Sequence, residues 1–209
     1  MADISFDRGG QDNPLASFLG NNWRTLIAAV VAALLAVGGY AAYTSYAKKA
    51  KAQAENDLGA IIASKTGPER LSALEAYVKT APASTKDAAL LELARTAAEQ
   101  GNHAKAAEAW NQLALAAPGG VKDLAVLGQA SALAQAGDKA QAVKLLADFM
   151  PKAPKAFQPL VARQLAAVAE DAQAWTEALA AYERLREAAE GGNKALFEAK
   201  ITEIKAKTK

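Results

Sequence analysis

The chain of 209 residues holds no cysteine and one histidine, His103. Without cysteine there is no thiolate nucleophile, no thiolate metal ligand and no disulfide. A lone imidazole in the turn Gly101-Asn102-His103 lacks the neighbours that a metal site or a general base needs, so it reads as a solvated turn. Glu69, Glu75, Glu92, Glu99, Glu108, Glu170, Glu177 and Glu183 fall mostly on outward positions of amphipathic helices, where no dry cleft pairs them for acid–base work. HExxH, nucleophile-elbow, Walker A and dinucleotide-binding patterns are absent. The expectation is a binding protein, not an enzyme, with no cofactor and no metal. Net charge is +2, and no basic block with interleaved aromatics asks for nucleic acid. What remains is surface. Leu91 and Arg95, Leu127 and Ser131, and Arg163 and Ala167 form three pairs at one constant spacing, mixing apolar and polar groups without strong charge.

Those pairs are set by a repeat. Pro82, Pro118 and Pro154 are 36 residues apart (118 − 82 and 154 − 118), as are Gly101 and Gly137, and Ala106, Ala142 and Ala178. A fixed period of this size marks a stacked helical array. The composition agrees, being rich in Ala, Lys and Glu, with only 6% aromatic residues. Residues 86–118 give the clearest unit. Leu90, Leu93, Ala94 and Ala97 line its first helix, Gly101 ends that helix in a left-handed cap, and Ala106, Trp110 and Leu113 line the second. Small Ala94 and Ala106 let the two axes approach, and Trp110 fills the space beside them. Val126, Ala130, Leu133, Ala142, Leu146 and Phe149 repeat the plan, and so do Ala162, Leu165, Ala166, Ala169, Ala178, Tyr182 and Leu185. An earlier unit is worn: Leu71, Leu74 and Tyr77 keep a second helix, but Arg70 stands where the period expects Ala. A last helix carries Leu196, Phe197, Ile201 and Ile204 on one side and closes the stack.

The order of large, small, Gly, small, aromatic and Pro resembles the tetratricopeptide repeat over about residues 86–190. The period is longer here, with two extra residues after each Pro, and the usual Trp and Tyr of the first helix are Leu and Ala. The resemblance implies an all-α stack of helix pairs with an inner groove lined by the first helix of each unit. It places Leu91, Arg95, Leu127, Ser131, Arg163 and Ala167 in that groove as candidates for holding extended polypeptide or a partner helix.

Ahead of the repeats, Thr25 to Ala47 holds no charged residue. About 23 helical residues at about 1.5 Å each cross the roughly 30 Å hydrocarbon core of a bilayer. Trp23 at one end and Tyr40, Tyr43 and Tyr46 at the other suit the headgroup level. The chain thus divides into a polar tail (1–22), a transmembrane helix (23–47), a connecting helix with the degenerate first repeat (48–85), the repeats (86–190) and a capping helix (191–209). Two rivals stand beside the span: a cleaved signal peptide ending near Ser45-Tyr46-Ala47, and a buried core helix. Lys48, Lys49, Lys51 and Lys65 against Arg8 and Arg24 lean towards a cytoplasmic C-terminal domain, by a narrow margin.

The whole layout resembles the ancillary subunit of the bacterial Sec translocon. The parts that carry the likeness are a span before position 50, a worn first unit, and a short closing helix with Leu196-Phe197-Glu198-Ala199-Lys200-Ile201. The resemblance implies an inner-membrane protein with its C-terminal domain in the periplasm. Its partners would be Sec translocon subunits, a membrane-anchored periplasmic chaperone and exported client proteins, besides the lipid around the span. Alternatives are a scaffold for envelope assembly or division, and an accessory subunit in a respiratory or cytochrome-maturation complex.

Overall fold

The computed structural model describes residues 14–189 and 193–207, with side chains at 24 and from 27 onward. The regular elements among them are helices: α1 (Pro14–Ser64), α2 (Gly67–Thr80), α3 (Ala83–Glu99), α4 (His103–Ala116), α5 (Gly119–Gln135), α6 (Lys139–Phe149), α7 (Gln158–Asp171), α8 (Trp175–Ala188) and α9 (Asn193–Lys207). The chain divides into two compact units, Met1–Ala52 and Gln53–Lys209.

The described part of the first unit is helix α1 as far as Ala52. It begins at Pro14, so residues 14–22 of the expected tail have helical backbone; residues 1–13 lie outside the described ones. Proline suits a first turn, where its missing N–H would have no partner anyway. Ile27, Val30, Val31, Leu34, Leu35 and Val37 stand exposed, as do Tyr40, Tyr43 and Tyr46. The side chain of Trp23, expected at the opposite interface, lies outside the described residues. Helix α1 passes through Gly38-Gly39 and on to Ser64 without a break.

The second unit is the repeat stack. Residues 53–64 of α1 serve as its opening helix: Ala54 and Leu58 are buried at places 36 residues before Leu90 and Ala94. Each later helix packs on the one before it, from α2 on α3 through to α8 on α9. Ala106, Ala142 and Ala178 are each fully buried, as are Ala94 and Ala130. A methyl group at these places lets paired helices close up, and a longer side chain would force them apart.

The turns inside the pairs share one hydrogen-bond pattern. After α3, the Gly101 N–H donates to Ala98 O (3.0 Å) and the Asn102 N–H to Ala97 O (2.9 Å). After α5, Gly137 donates to Ala134 O (3.1 Å) and Asp138 to Leu133 O (2.9 Å). After α7, Gln173 donates to Glu170 O (3.1 Å) and Ala174 to Ala169 O (2.8 Å). This is the Schellman closure, which needs a left-handed residue at its corner. Gly101 and Gly137 supply it at φ 73° and 92°, and Gln173 adopts it at φ 55°. The next helix is then capped by the side chain of Asn102 on the Lys105 N–H, or of Asp138 on the Gln141 N–H; Ala174 has no side chain to offer.

Two departures from strict repetition have physical reasons. Arg70, in place of Ala, donates from Nε to Lys65 O (2.7 Å) and from Nη2 to Ile62 O (3.0 Å), so it satisfies carbonyls that the end of α1 leaves open. Between α6 and α7 the chain turns at Met150–Phe157, with the Phe157 and Gln158 N–H groups both donating to Pro154 O, and α7 starts late.

Helix α9 holds the register of a first helix: Ile201 lies 36 residues after Leu165, and both are buried. Glu198, Thr202 and Lys205 stand where α7 has buried Ala162, Ala166 and Ala169. That polar face accepts water instead of a further helix, which is how a solenoid ends. The expected break at Gly191-Gly192 lies outside the described residues.

Candidate functional site

The six residues singled out by spacing lie on α3, α5 and α7. On α3, Leu91 is 44% exposed. Arg95 beside it is exposed but occupied: Nε and Nη2 donate to Glu92 Oε2 (3.1 and 2.7 Å), and Nη1 to Glu99 Oε1 (2.6 Å). Its hydrogen bond to Glu92 leads the causes that raise its pKa, so α3 offers no free cation here.

Leu127 on α5 is 7% exposed and packs into the core. The reason is local. Helix α7 meets α5 at this level, where Gln164 Nε2 donates to Leu127 O (2.8 Å). Leu127 is therefore a packing residue and not an open groove position. Ser131 is half-buried and accepts from Gln135 Nε2 (3.1 Å). Arg163 and Ala167 on α7 are exposed, and Arg163 makes no ion pair among the described residues.

The structure adds residues that the spacing argument passed over. Leu124 on α5, Leu160 on α7 and Leu196 on α9 are 52%, 49% and 59% exposed. They occupy one repeat position (160 − 124 and 196 − 160 are equal), so the signal was present in the sequence. Leu196 departs from the packed side of α9 expected for it. It lies instead about 100° round the helix from Phe197, while Phe197, Ile201 and Ile204 form the packed stripe in steps of four and three.

A polar cluster ties α9 down. Tyr182 Oη donates to Glu170 Oε1, and Lys200 Nζ bridges Glu170 Oε2 (3.1 Å) and Glu203 Oε2 (3.3 Å). Burial pushes the Glu170 carboxyl up, but the bonds from Tyr182 and Lys200 outweigh it and hold the group below its ordinary value. Burial, then the bond to Glu170, pushes the Tyr182 phenol up to about 12. The cluster is shared by three helices and reads as a latch, since no cleft brings a reacting group to it.

His103 is the first residue of α4 and half-buried, not a free loop residue, and its Nδ1 has no hydrogen-bond partner among the described residues. Among those residues no three metal-ligating side chains gather. Among them the helical stretch Ile27–Ser64 is the one long and apolar enough to cross a membrane, its most apolar 18 residues having a mean hydropathy of 1.8; a signal sequence meets the same criterion.

A family model described as tetratricopeptide repeat-like domain matches residues 16–206. No curated protein and no solved structure matches the chain.

Proposed function

The chain belongs to the tetratricopeptide repeat-like domain family, a fold of protein–protein interaction scaffolds, and on that premise we propose a membrane-tethered protein that binds other polypeptides and catalyses nothing. The observation that carries the tether is the uncovered apolar length of α1: Ile27 to Val37 leave their side chains in the open, at a cost in water that lipid removes. A span that is retained holds a weak binding surface at high effective concentration near the membrane.

In this reading the protein sits in a bacterial inner membrane with its repeat stack in the periplasm. It acts as an accessory subunit of the Sec translocon, working beside a membrane-anchored chaperone on emerging polypeptides. Support comes from the layout: a span before position 50, an opening unit formed by the continuation of the same helix, and a polar closing helix. Mild detergent extraction and copurification test it. Translocon subunits with a prolyl-isomerase-like chaperone are the expected catch, and recovery of cell-wall or respiratory proteins alone contradicts it. Protease added to intact spheroplasts should digest the repeat stack; protection until lysis places the domain in the cytoplasm and removes the export role.

A further inference from the structure

The turns that join one helix pair to the next share an end of the stack. Tyr77 Oη, near the close of α2, donates to Ala54 O (2.7 Å) and meets Thr85 Oγ1 at the start of α3 (3.1 Å). The α2–α3 turn therefore lies beside the opening residues of the stack. Neighbouring helices packed across short turns run antiparallel, so the α4–α5 and α6–α7 turns fall at that same end. At the opposite end, Gln100 Nε2 after α3 donates to Gly67 O at the start of α2 (2.6 Å). The chain thus comes into the stack at the end that carries Pro82, Pro118 and Pro154.

The two ends hold their cations differently. At the far end Lys65 pairs with Glu69, Lys105 with Glu75 and Lys139 with Asp171. In the entry-end turns 79–86, 115–122 and 148–157, Lys79, Lys86, Lys122, Lys152 and Lys155 are exposed and make no ion pair among the described residues. Asp148 is the one carboxylate in those three stretches; Asp87 and Asp123 follow two of the lysines but are half-buried. Apolar groups stand among these charges. Leu115 is 81% exposed, more than any other large apolar residue described, and Val121 on the other side of the same turn is 47% exposed.

We propose that this end of the stack docks on an anionic bilayer surface, with Leu115 and Val121 entering the boundary between headgroups and acyl chains and Lys86, Lys122, Lys152 and Lys155 on lipid phosphates. The inference rests on the retained span proposed above. Apolar groups beside unpaired lysines suit that boundary, where lipid covers the first and phosphates neutralise the second. The tether selects the occupant. Six residues, 48–53, separate the expected end of the span from the stack, and even fully extended they reach about 20 Å. The entry end is therefore the part of the stack that the chain keeps close to headgroups.

The test uses the full chain in nanodiscs of phosphatidylglycerol or phosphatidylcholine that contain a lipid with a quencher on its headgroup. The chain has no cysteine, so Gly120→Cys in the entry-end turn and Ala136→Cys at the far end each take a single fluorophore. Both places are exposed, and a side chain at 120 meets nothing within 4 Å. Quenching at 120 should exceed that at 136 in phosphatidylglycerol. It should fall in phosphatidylcholine, and at about 1 M salt, where the Debye length shrinks to about 3 Å. Each lysine near an anionic leaflet shifts surface occupancy by about fivefold, so K86Q, K122Q, K152Q and K155Q together should bring 120 down to the level of 136. L115S with V121S should lower it in both lipids. Equal quenching at the two sites, or quenching at 120 that ignores both lipid charge and salt, overturns the proposal; these arms leave the four lysines and both apolar residues intact, so they stand if a variant folds poorly. A label at 120 that lipid does not quench, yet that native membranes shield, gives this end to a protein and overturns the proposal too. A chain that enters the nanodiscs in those cases keeps its tether; a chain that stays out of them removes tether and docking together.

Discussion

Gln173 and Ala174 occupy the corner and the cap that Gly101-Asn102 and Gly137-Asp138 occupy in the two preceding pairs. A non-glycine residue at φ 55° carries steric cost, and an alanine cap offers the first turn of α8 no side-chain acceptor. Gln173→Gly and Ala174→Asn should each stabilise the stack by about 1 kcal/mol, read as a rise in the urea midpoint with the slope unchanged. Gly128 is the opposite case. A methyl group there would stand 2.5 Å from the Trp110 ring, so Gly128→Ala should cost about 1–3 kcal/mol. Shortening the ring as well, with Trp110→Leu, should recover part of that cost in a double-mutant cycle. The glycine corners were legible because glycine advertises a positive φ. Gln173 hid its conformation behind an ordinary residue type, and Gly128 took its meaning from a ring on another helix.

At the level of helices, two elements hold the ends of the stack. Arg70 fastens α2 to the open carbonyls of α1, so Arg70→Met should lower stability by about 1–2 kcal/mol while keeping the aliphatic packing. The sequence showed only that the expected alanine was missing. Its reason, a capping guanidinium, needs the distance. Helix α9 is held by Ile201 and Ile204 and by the cluster of Glu170, Tyr182, Lys200 and Glu203. Because the Glu170 value is depressed in the folded chain, its contribution is in place above the usual carboxylate pKa of about 4.3 and is lost as pH falls through the lower folded value. Tyr182 is raised, so its contribution holds up to about pH 10 and is lost as pH climbs towards about 12. Melting midpoints followed by tryptophan fluorescence report on this latch, since Lys207 Nζ lies 4.9 Å from the centre of the Trp175 ring. Glu170→Gln should shrink the acid-side fall in the midpoint; an unchanged profile would show that the cluster does not hold α9.

For the whole molecule, the period of 36 residues made the all-α stack readable, because every unit must bury the same face. The binding surface was less readable. Spacing identified a repeat position on the first helices, but Leu91 is open where Leu127 is closed, and only the approach of α7 to α5 decides between them. The polar face of α9 ends the stack, and the exposed apolar length of α1 begins the chain's other unit. That length is the premise of the tether, and alkaline carbonate extraction of membranes from cells producing the full chain tests it most directly. The account predicts that the uncut chain stays in the membrane pellet. Uncut chain in the soluble fraction, or a soluble product shortened at the Ser45-Tyr46-Ala47 site, would contradict it.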